Sequence, residues 1–454
     1  MSYQQVIERP DRFDFTVETV GECRLDSPLA ANLARTTGQG GGYVDGERVL
    51  LARDERTLKR HFEEFGSTPS LELAGPHGKI FHDPTWARAA IVTCGGLCPG
   101  LNNVIKGLVR SLWFDYGVRT IYGIRYGYLG LVPGFHHPPV QLDPELVDDI
   151  HEIGGTMLGS SRGEQDVKAM VDTLQRMNIN MLFTIGGDGT LRGAQKIVQE
   201  IKARNLSISV VGVPKTVDND LQFTDRSFGF ETAVYETFDV LSSAHIEAKG
   251  AHNGIGVVKL MGRDSGFIAA YASLANTVVN TCLVPEVPFE IEGENGLLKA
   301  IERRFAIGKT HMVIVVAEGA GQDLIAGEER RDASGNVLKK DIGEFLVRKI
   351  SEHFDSIGKE VHVKYFDPSY SIRSVPAHGT DAILCNLLAA NAVHAAMAGR
   401  TNCVVSQWDD TQVLVPMRLA TMERKKIDVN GPFWQAVLSA TRQNAYFLGA
   451  PDPA

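Results

Sequence analysis

The chain has 454 residues, 43% of them hydrophobic and 22% charged, enough for two or three domains with cores of their own and ordinary for a globular protein. Its 46 basic residues face 55 acidic ones, a net charge of −9, which argues against a general nucleic-acid-binding surface. No apolar run reaches about eighteen residues and "MSYQQVIERPDRFDF" has no apolar signal core, so the expectation is a cytoplasmic protein with no membrane partner.

Residues 1–85 read as an extension, polar and mixed. Their "TGQGGGYVDGE" (37–47) opens no helix and suggests a hairpin or loop rather than a nucleotide turn. Regular order begins at "RAAIVTC" (88–94), a β-branched run ending in "GGLCPG", followed by the amphipathic "LNNVIKGLVRSLWFDYG" (101–117). Cys94 and Cys98 stand four apart there, with no second pair at metal-ligand spacing, so they and the other four cysteines read as structural thiols.

From 118 onward strand-like runs alternate with helical ones. The strands are "VRTIYGI" (118–124), "NMLFTIG" (180–186), "SISVVGV" (207–213), "NGIGVVKL" (253–260) and "THMVIVVAEG" (310–319). The helices between include "QDVKAMVDTLQRMN" (165–178) and "LRGAQKIVQEIKARN" (191–205). Continuous apolar strands alternating with helices imply parallel sheets covered on both faces. The strands are too many for one sheet of usual size. The expected fold class is therefore α/β: two three-layer α/β domains with mostly parallel sheets, plus the N-terminal extension. The first domain is assigned 86–223 and 375–430, reached again through the helical "TDAILCNLLAANAVHAAMAG" (380–399), and the second 224–374 and 431–454.

In open α/β sheets ligands bind beyond the carboxyl ends of the strands. Three turns sit there: "TCGGLCPG", "IGGDGTLRG" and "VPKTVDND". Gly187, Gly189 and Thr190 open a helix, where unpaired N–H groups favour phosphate. Asp188 among them is either a cap of a tight turn or a ligand of a Mg2+ lying between carboxylate and polyphosphate. Asp218 and Asp220 are spaced by two. In an extended segment they would share a face, one taking a proton from a hydroxyl and one supporting the metal; an Asx-type turn is the other reading. Arg162 in "GSSRG", Arg263 in "LMGRDSG" and Arg373 in "SYSIRS" are solvated charges singly, and together the cations of a two-phosphate site with Mg2+.

In that order, "GGLCPGLNNVI", "GSSRG", "GGDGT", "PKTVDND", "LMGRDSGFIA", "VAEG" and "DPSYSIRS" make residues 88–400 resemble the 6-phosphofructokinases. NAD kinases and lipid kinases share a "GGDGT"-like turn but lack the "TVDND" and "MGRDSG" partners. The resemblance implies transfer of a phosphoryl group to the 1-hydroxyl of fructose 6-phosphate. It implies Asp218 as general base and Arg263 as the cation on the transferring group. Asp188 would hold Mg2+, and Gly95, Arg162, Gly163, Gly187, Gly189 and Thr190 would line the nucleotide. Thr216, Val217, Asp218, Met261, Gly262, Arg263, Glu318, Lys364, Tyr370, Ser371, Ile372 and Arg373 would bind the sugar phosphate. A cation that bacterial relatives place before "VVKLMGR" is missing, with Asn253 or Gly254 there instead. The family expectation is a glycolytic, allosteric, cytoplasmic homotetramer, at least a dimer.

The donor is read at Gly189 and Lys215. Pyrophosphate users resembling this chain carry Asp at position 189, where a carboxylate repels the α-phosphate of ATP, and they carry the Lys before "TVDND". Gly189 leaves the α-phosphate space open, and Lys215 can serve either donor. ATP is the expected cosubstrate, as in the trypanosomal-type branch, with a pyrophosphate-dependent phosphotransferase as the alternative.

Overall fold

Each buried strand is a short aliphatic run that stops at a glycine, a proline or a polar turn. In the computed structural model, which describes residues 3–29, 42–328, 330–331 and 337–443, the chain divides into two compact units. The first is Met1–Gly229 with Ser374–Arg424 and the second Phe230–Arg373 with Lys425–Ala454. The seams thus fall after Gly229, Arg373 and Arg424, where the sequence reading sets them at 223, 374 and 430. Ile427 goes with the second unit because its N–H donates to the Glu286 carboxylate there, 3.0 Å.

In chain order the strands of the two main sheets are β1 (Arg48–Leu50), β2 (Ser70–Leu73), β3 (Arg88–Thr93), β4 (Thr120–Ile124), β5 (Val140–Gln141), β6 (Met181–Gly186), β7 (Ser209–Pro214), β8 (Gly254–Leu260), β9 (Thr281–Leu283), β10 (His311–Ala317), β11 (His362–Phe366), β12 (Cys403–Trp408) and β13 (Thr411–Pro416). The helices used below are α1 (Leu101–Arg110), α2 (Val167–Arg176), α3 (Asp188–Ala203), α4 (Phe230–Lys249), α5 (Ile342–Ser356) and α6 (Gly379–Met397).

The first unit is built on a nine-stranded sheet, order β1-β2-β13-β12-β7-β6-β3-β4-β5. Its centre, β12-β7-β6-β3-β4, is parallel, while β13, β2, β1 and β5 pair antiparallel at the margins. The central runs are apolar on both faces: every residue of β6 and β7 is buried. Helix α3 turns Leu191, Ala194, Ile197, Val198 and Ile201 inward at helical spacing. The 1–85 segment joins this core. Val6, Leu51 and Leu71 are fully buried in the same cluster as Val92, Leu182 and Val210. Of "TGQGGGYVDGE", residues 37–41 lie outside the described residues; the rest runs as turn and coil into β1. The "LNNVIKGLVRSLWFDYG" segment is α-helical to Arg110 and continues as a wider π turn over Ser111–Tyr116.

The second unit holds a four-stranded, all-parallel sheet, order β9-β10-β8-β11. Its core joins Ile255 and Val257 of β8, Ile314 and Val316 of β10, and Leu346, Ile350 and Phe354 of α5, all fully buried. Each such side chain contributes about 1.5–3 kcal/mol over exposure. This α/β architecture of mostly parallel sheets is the one expected from the sequence.

Candidate active site

In the first unit, β3, β6 and β7 are neighbours and parallel, so the turns that follow them open side by side. After β3, Gly95 takes φ +90°, a left-handed conformation that strains any other residue. Its N–H donates to the Ser161 carbonyl at 3.0 Å, and Ser160 Oγ donates to its carbonyl at 2.7 Å, so the "GSSRG" loop lies across the first glycine turn. After β6, Gly187 caps α3 and Asp188 is its first residue. After β7 comes Lys215, 6% exposed, whose N–H donates to the Gly186 carbonyl and whose Nζ donates to the Gly96 carbonyl at 2.7 Å. One buried lysine therefore ties the three turns together. Burial lowers its pKa, with the charge of Arg162 acting the same way and Cys98, Cys94 and Asp218 opposing.

The acidic turn takes the second of its two readings. Residues 216–220 are not extended; they form a turn with Asn219 at φ +53°. The Asn219 side chain enforces it, accepting from Ser227 N–H at 2.9 Å and donating to the Asp225 carbonyl at 3.1 Å. Asp218 and Asp220 therefore do not share a face by strand alternation, although both are buried. Asp220 Oδ1 accepts from Thr216 Oγ1 at 2.6 Å, and its Oδ2 stands 3.6 Å from Arg424 Nη1. Val217 is 7% exposed.

Asp188 meets this turn electrostatically. Burial raises its pKa; Arg192 and Arg424 pull it down and Asp220 pushes it up. Arg192 Nε stands 3.0 Å from Oδ1, an ion pair out of line for a hydrogen bond, so that buried oxygen makes none. Among the described residues no group of three or more His, Cys, Asp or Glu is assembled for a metal. A half-buried carboxylate with one orphaned oxygen at a helix N-terminus, with one acidic neighbour, suits Mg2+, which takes one or two carboxylates and completes its shell with water and phosphates. The residues fit that ion. Beside it, a Cβ added at Gly189 meets no atom within 4 Å, and one at Gly187 meets only the Lys215 carbonyl, at 3.2 Å. Thr190 is buried in the first turn of α3, Arg162 is exposed and Gly163 half-buried. Cys94 is buried with its thiol pushed up to about 12, and Cys98 Sγ donates to the Phe228 carbonyl at 3.2 Å, as structural thiols do.

In the second unit, β8 and β10 end together. Glu318 N–H donates to the Leu260 carbonyl at 2.9 Å and Gly319 N–H to that of Gly262 at 3.0 Å, lacing the "MGR" and "AEG" turns. Burial raises the Glu318 pKa, opposed by Arg263, Lys259, Lys339 and Arg373. Arg263 Nη2 donates to the Val337 carbonyl at 2.7 Å. The Arg373 guanidinium lies over the Tyr370 ring, 4.7 Å from its centroid, and that ring is 76% exposed. Met261 is buried and Ser371 exposed. Two residues depart from expectation. Ile372 is 1% exposed, so its side chain packs in the core and offers a ligand its backbone only. Lys364 lies mid-strand on β11 with Nζ 3.6 Å from Glu247 of α4, rather than at the strand ends.

The sequence reading passed over Arg424, Lys259, Asp341 and Asp367. Arg424 lies in an unremarkable "MERKK" run. Lys259 carried a signal, a charge inside the otherwise apolar "GIGVVKL".

Residues 88–396 match the phosphofructokinase family. The chain belongs to that family. It is 47% identical over 443 residues to the ATP-dependent 6-phosphofructokinase of Borreliella burgdorferi, covering 95% of this chain and 97% of that one. It is 48% identical over 441 residues to the ATP-dependent 6-phosphofructokinase of Amycolatopsis methanolica, covering 96% of each. Among solved structures it resembles the pyrophosphate-dependent phosphofructokinase of Marinobacter aquaeolei with a TM-score of 0.65, at 20% identity over 81% of this chain and 93% of that one. The last likeness is one of fold, and it leaves the donor to the residues and to the closer relatives.

Proposed function

We propose that this chain is an ATP-dependent 6-phosphofructokinase, transferring the γ-phosphoryl group of ATP to the 1-hydroxyl of fructose 6-phosphate to give fructose 1,6-bisphosphate and ADP. The observation that carries the choice of donor is the open space at Gly189, beside the Asp188 carboxylate, in a chain 47–48% identical to enzymes named ATP-dependent. Asp218 accepts the proton of the 1-hydroxyl, whose oxygen bonds to the γ-phosphorus as the bond to the bridging oxygen of ADP breaks. Gly95, Arg162, Gly163, Gly187, Gly189 and Thr190 line the nucleotide with N–H groups and one cation. Asp188 holds Mg2+, with Asp220 nearby; when bound, that ion neutralises charge on the donor phosphates. Thr216 and Val217 contribute to the sugar site through their turn. By the family resemblance Arg263 serves the transferring group, Glu318 accepts from sugar hydroxyls beside Met261 and Gly262, and Tyr370, Ser371, Ile372 and Arg373 hold the 6-phosphate. Lys364 serves a sugar phosphate across a subunit boundary.

Lys215 is the residue that favours the pyrophosphate reading. Its Nζ is buried and bonded to the Gly96 carbonyl, which supports a role in shaping the glycine turn over one as a spare charge for a short donor. The same proposal includes a homotetramer, a place in glycolysis, allosteric control and residence in the cytoplasm. Among the described residues no helix is long and apolar enough to cross a membrane. The deciding experiment is a coupled assay with fructose 6-phosphate and Mg2+, comparing ATP with pyrophosphate. Turnover with ATP is expected; robust turnover with pyrophosphate and none with ATP would overturn the donor assignment.

A further inference from the structure

A lysine inside a buried strand is unfavourable unless its ammonium finds acceptors. Lys259 of β8 finds two. Its Nζ lies 2.7 Å from Asp341 Oδ2 and 2.9 Å from Asp367 Oδ2, with the side chain 12% exposed. Each carboxylate has a second duty. Asp341 caps α5, accepting from Glu344 N–H at 3.0 Å, and receives the Tyr365 hydroxyl at 2.9 and 3.1 Å. Asp367 accepts from the N–H of Ser369 at 3.1 Å and from its hydroxyl at 2.5 Å, fixing the start of the turn that carries Tyr370 and Arg373.

One ammonium thus joins three pieces of backbone: the strand running into Met261–Arg263, the first turn of α5, and the 367–373 turn after β11. All three contacts lie within the second unit. Two of the ammonium's three N–H donors go to these carboxylates, whose paired charge largely offsets its own. Its influence on a ligand passes through the backbone it holds.

We propose that Lys259 is a positioning residue for sugar-phosphate binding, setting the 367–373 turn against the "MGR" turn through Asp367 while Asp341 anchors it to α5. The inference rests on the assignment of Tyr370 and Arg373 to the 6-phosphate made above. Misplacing such a grip by about an ångström is enough to weaken binding by an order of magnitude or more.

Three variants of the full chain test it: Asp367→Asn, which cuts only the tether to the turn, Lys259→Met, and Lys259→Arg. In Asp367→Asn and Lys259→Met the KM for fructose 6-phosphate is expected to rise about tenfold or more, with kcat at saturating sugar and the KM for ATP within about twofold of wild type. Lys259→Arg should restore most of the sugar affinity, since it keeps a charge and donors for both carboxylates. Amide exchange in residues 366–374 should accelerate in Asp367→Asn while that of α3 stays as in wild type. An unchanged sugar KM in Asp367→Asn, or equal losses for both substrates, would overturn the proposal. Should Lys259→Met not fold, Asp367→Asn decides alone. If the wild type transfers nothing to fructose 6-phosphate, the functional reading falls, whereas unchanged exchange in 366–374 would sink the clamp whatever the substrate.

Discussion

Position 189 separates a functional effect from a structural one. A side chain added there enters open space, and an acidic residue in the first turn of a helix is favoured by the helix dipole. Gly189→Asp should therefore fold with a melting temperature within about 2 °C of wild type. The same carboxylate stands beside Asp188, where a nucleotide's phosphates are assigned, and two anions there repel a third. The kcat/KM with ATP is expected to fall about a hundredfold or more, near 2.7 kcal/mol of transition-state stabilisation. Steady-state kinetics with thermal unfolding on the same preparation checks this; a loss of activity matched by a loss of stability would point to misfolding instead. Asp218→Ser is the complementary test. Removing a general base costs roughly 10²–10⁴ in kcat, while fructose 6-phosphate should still bind by calorimetry. A variant with near wild-type kcat would remove Asp218 from the reaction. Both positions were legible in the sequence because each lies in a turn carrying a carboxylate, Asp188 or Asp218, at the end of an apolar strand. The partner of Lys215 was not, because a hydrogen bond to the Gly96 carbonyl leaves no trace in residue type.

Secondary elements were legible where the apolar period was clean. The strand-like runs at 88–94, 118–124, 180–186, 207–213, 253–260 and 310–319 all contain strands, and the helical run at 380–399 contains α6. The antiparallel margin strands were missed. β1, β2 and β5 are two to four residues long, too short for alternation to declare itself, whereas β13 has six residues, the last four of them buried. Of the two readings of the acidic turn the Asx-type one holds, because Asn219 breaks the strand geometry with its own side chain. Helix packing supports the first glycine turn alongside its hydrogen bonds: α1 begins where that turn ends and lies against α6. At Gly107 the two helices approach so closely that a Cβ would sit 2.7 Å from that of Ala389. Gly107→Val forces the helices apart and should destabilise the protein by about 1–3 kcal/mol, as overpacked sites do. Because α1 carries the glycine turn with it, the KM for ATP should rise as well. Denaturant titration and nucleotide kinetics on this variant would show both effects; a stability loss with unaltered ATP affinity would mean the turn is held by its own hydrogen bonds to Ser160, Ser161 and Lys215.

For the chain as a whole, composition and alternation gave the α/β class, but not how stability depends on pH, which burial decides. Two histidines of the first unit are withdrawn from solvent, His82 fully and His394 in large part. His82 shares a hydrogen bond with Ser209 Oγ at 2.9 Å, and His394 Nδ1 with the Tyr116 hydroxyl at 2.8 Å. Burial lowers the pKa of each to about 4, assisted at His394 by the charge of His77. In the unfolded chain both titrate near 6.5. Folded values below unfolded ones mean that, between about 6.5 and 4, the unfolded chain takes up protons the folded one refuses. Stability therefore falls with pH across that window, by about 2 kcal/mol per histidine between pH 7 and pH 5. Gln places its amide where Nε2 stood, and Asn its amide where Nδ1 stood, so His82→Gln and His394→Asn keep the hydrogen bonds while removing the titration. Denaturant midpoints at pH 7 and pH 5 should converge in the double variant relative to wild type. Equal pH slopes in the two proteins would show that these histidines are not what makes the fold sensitive to acid above pH 5.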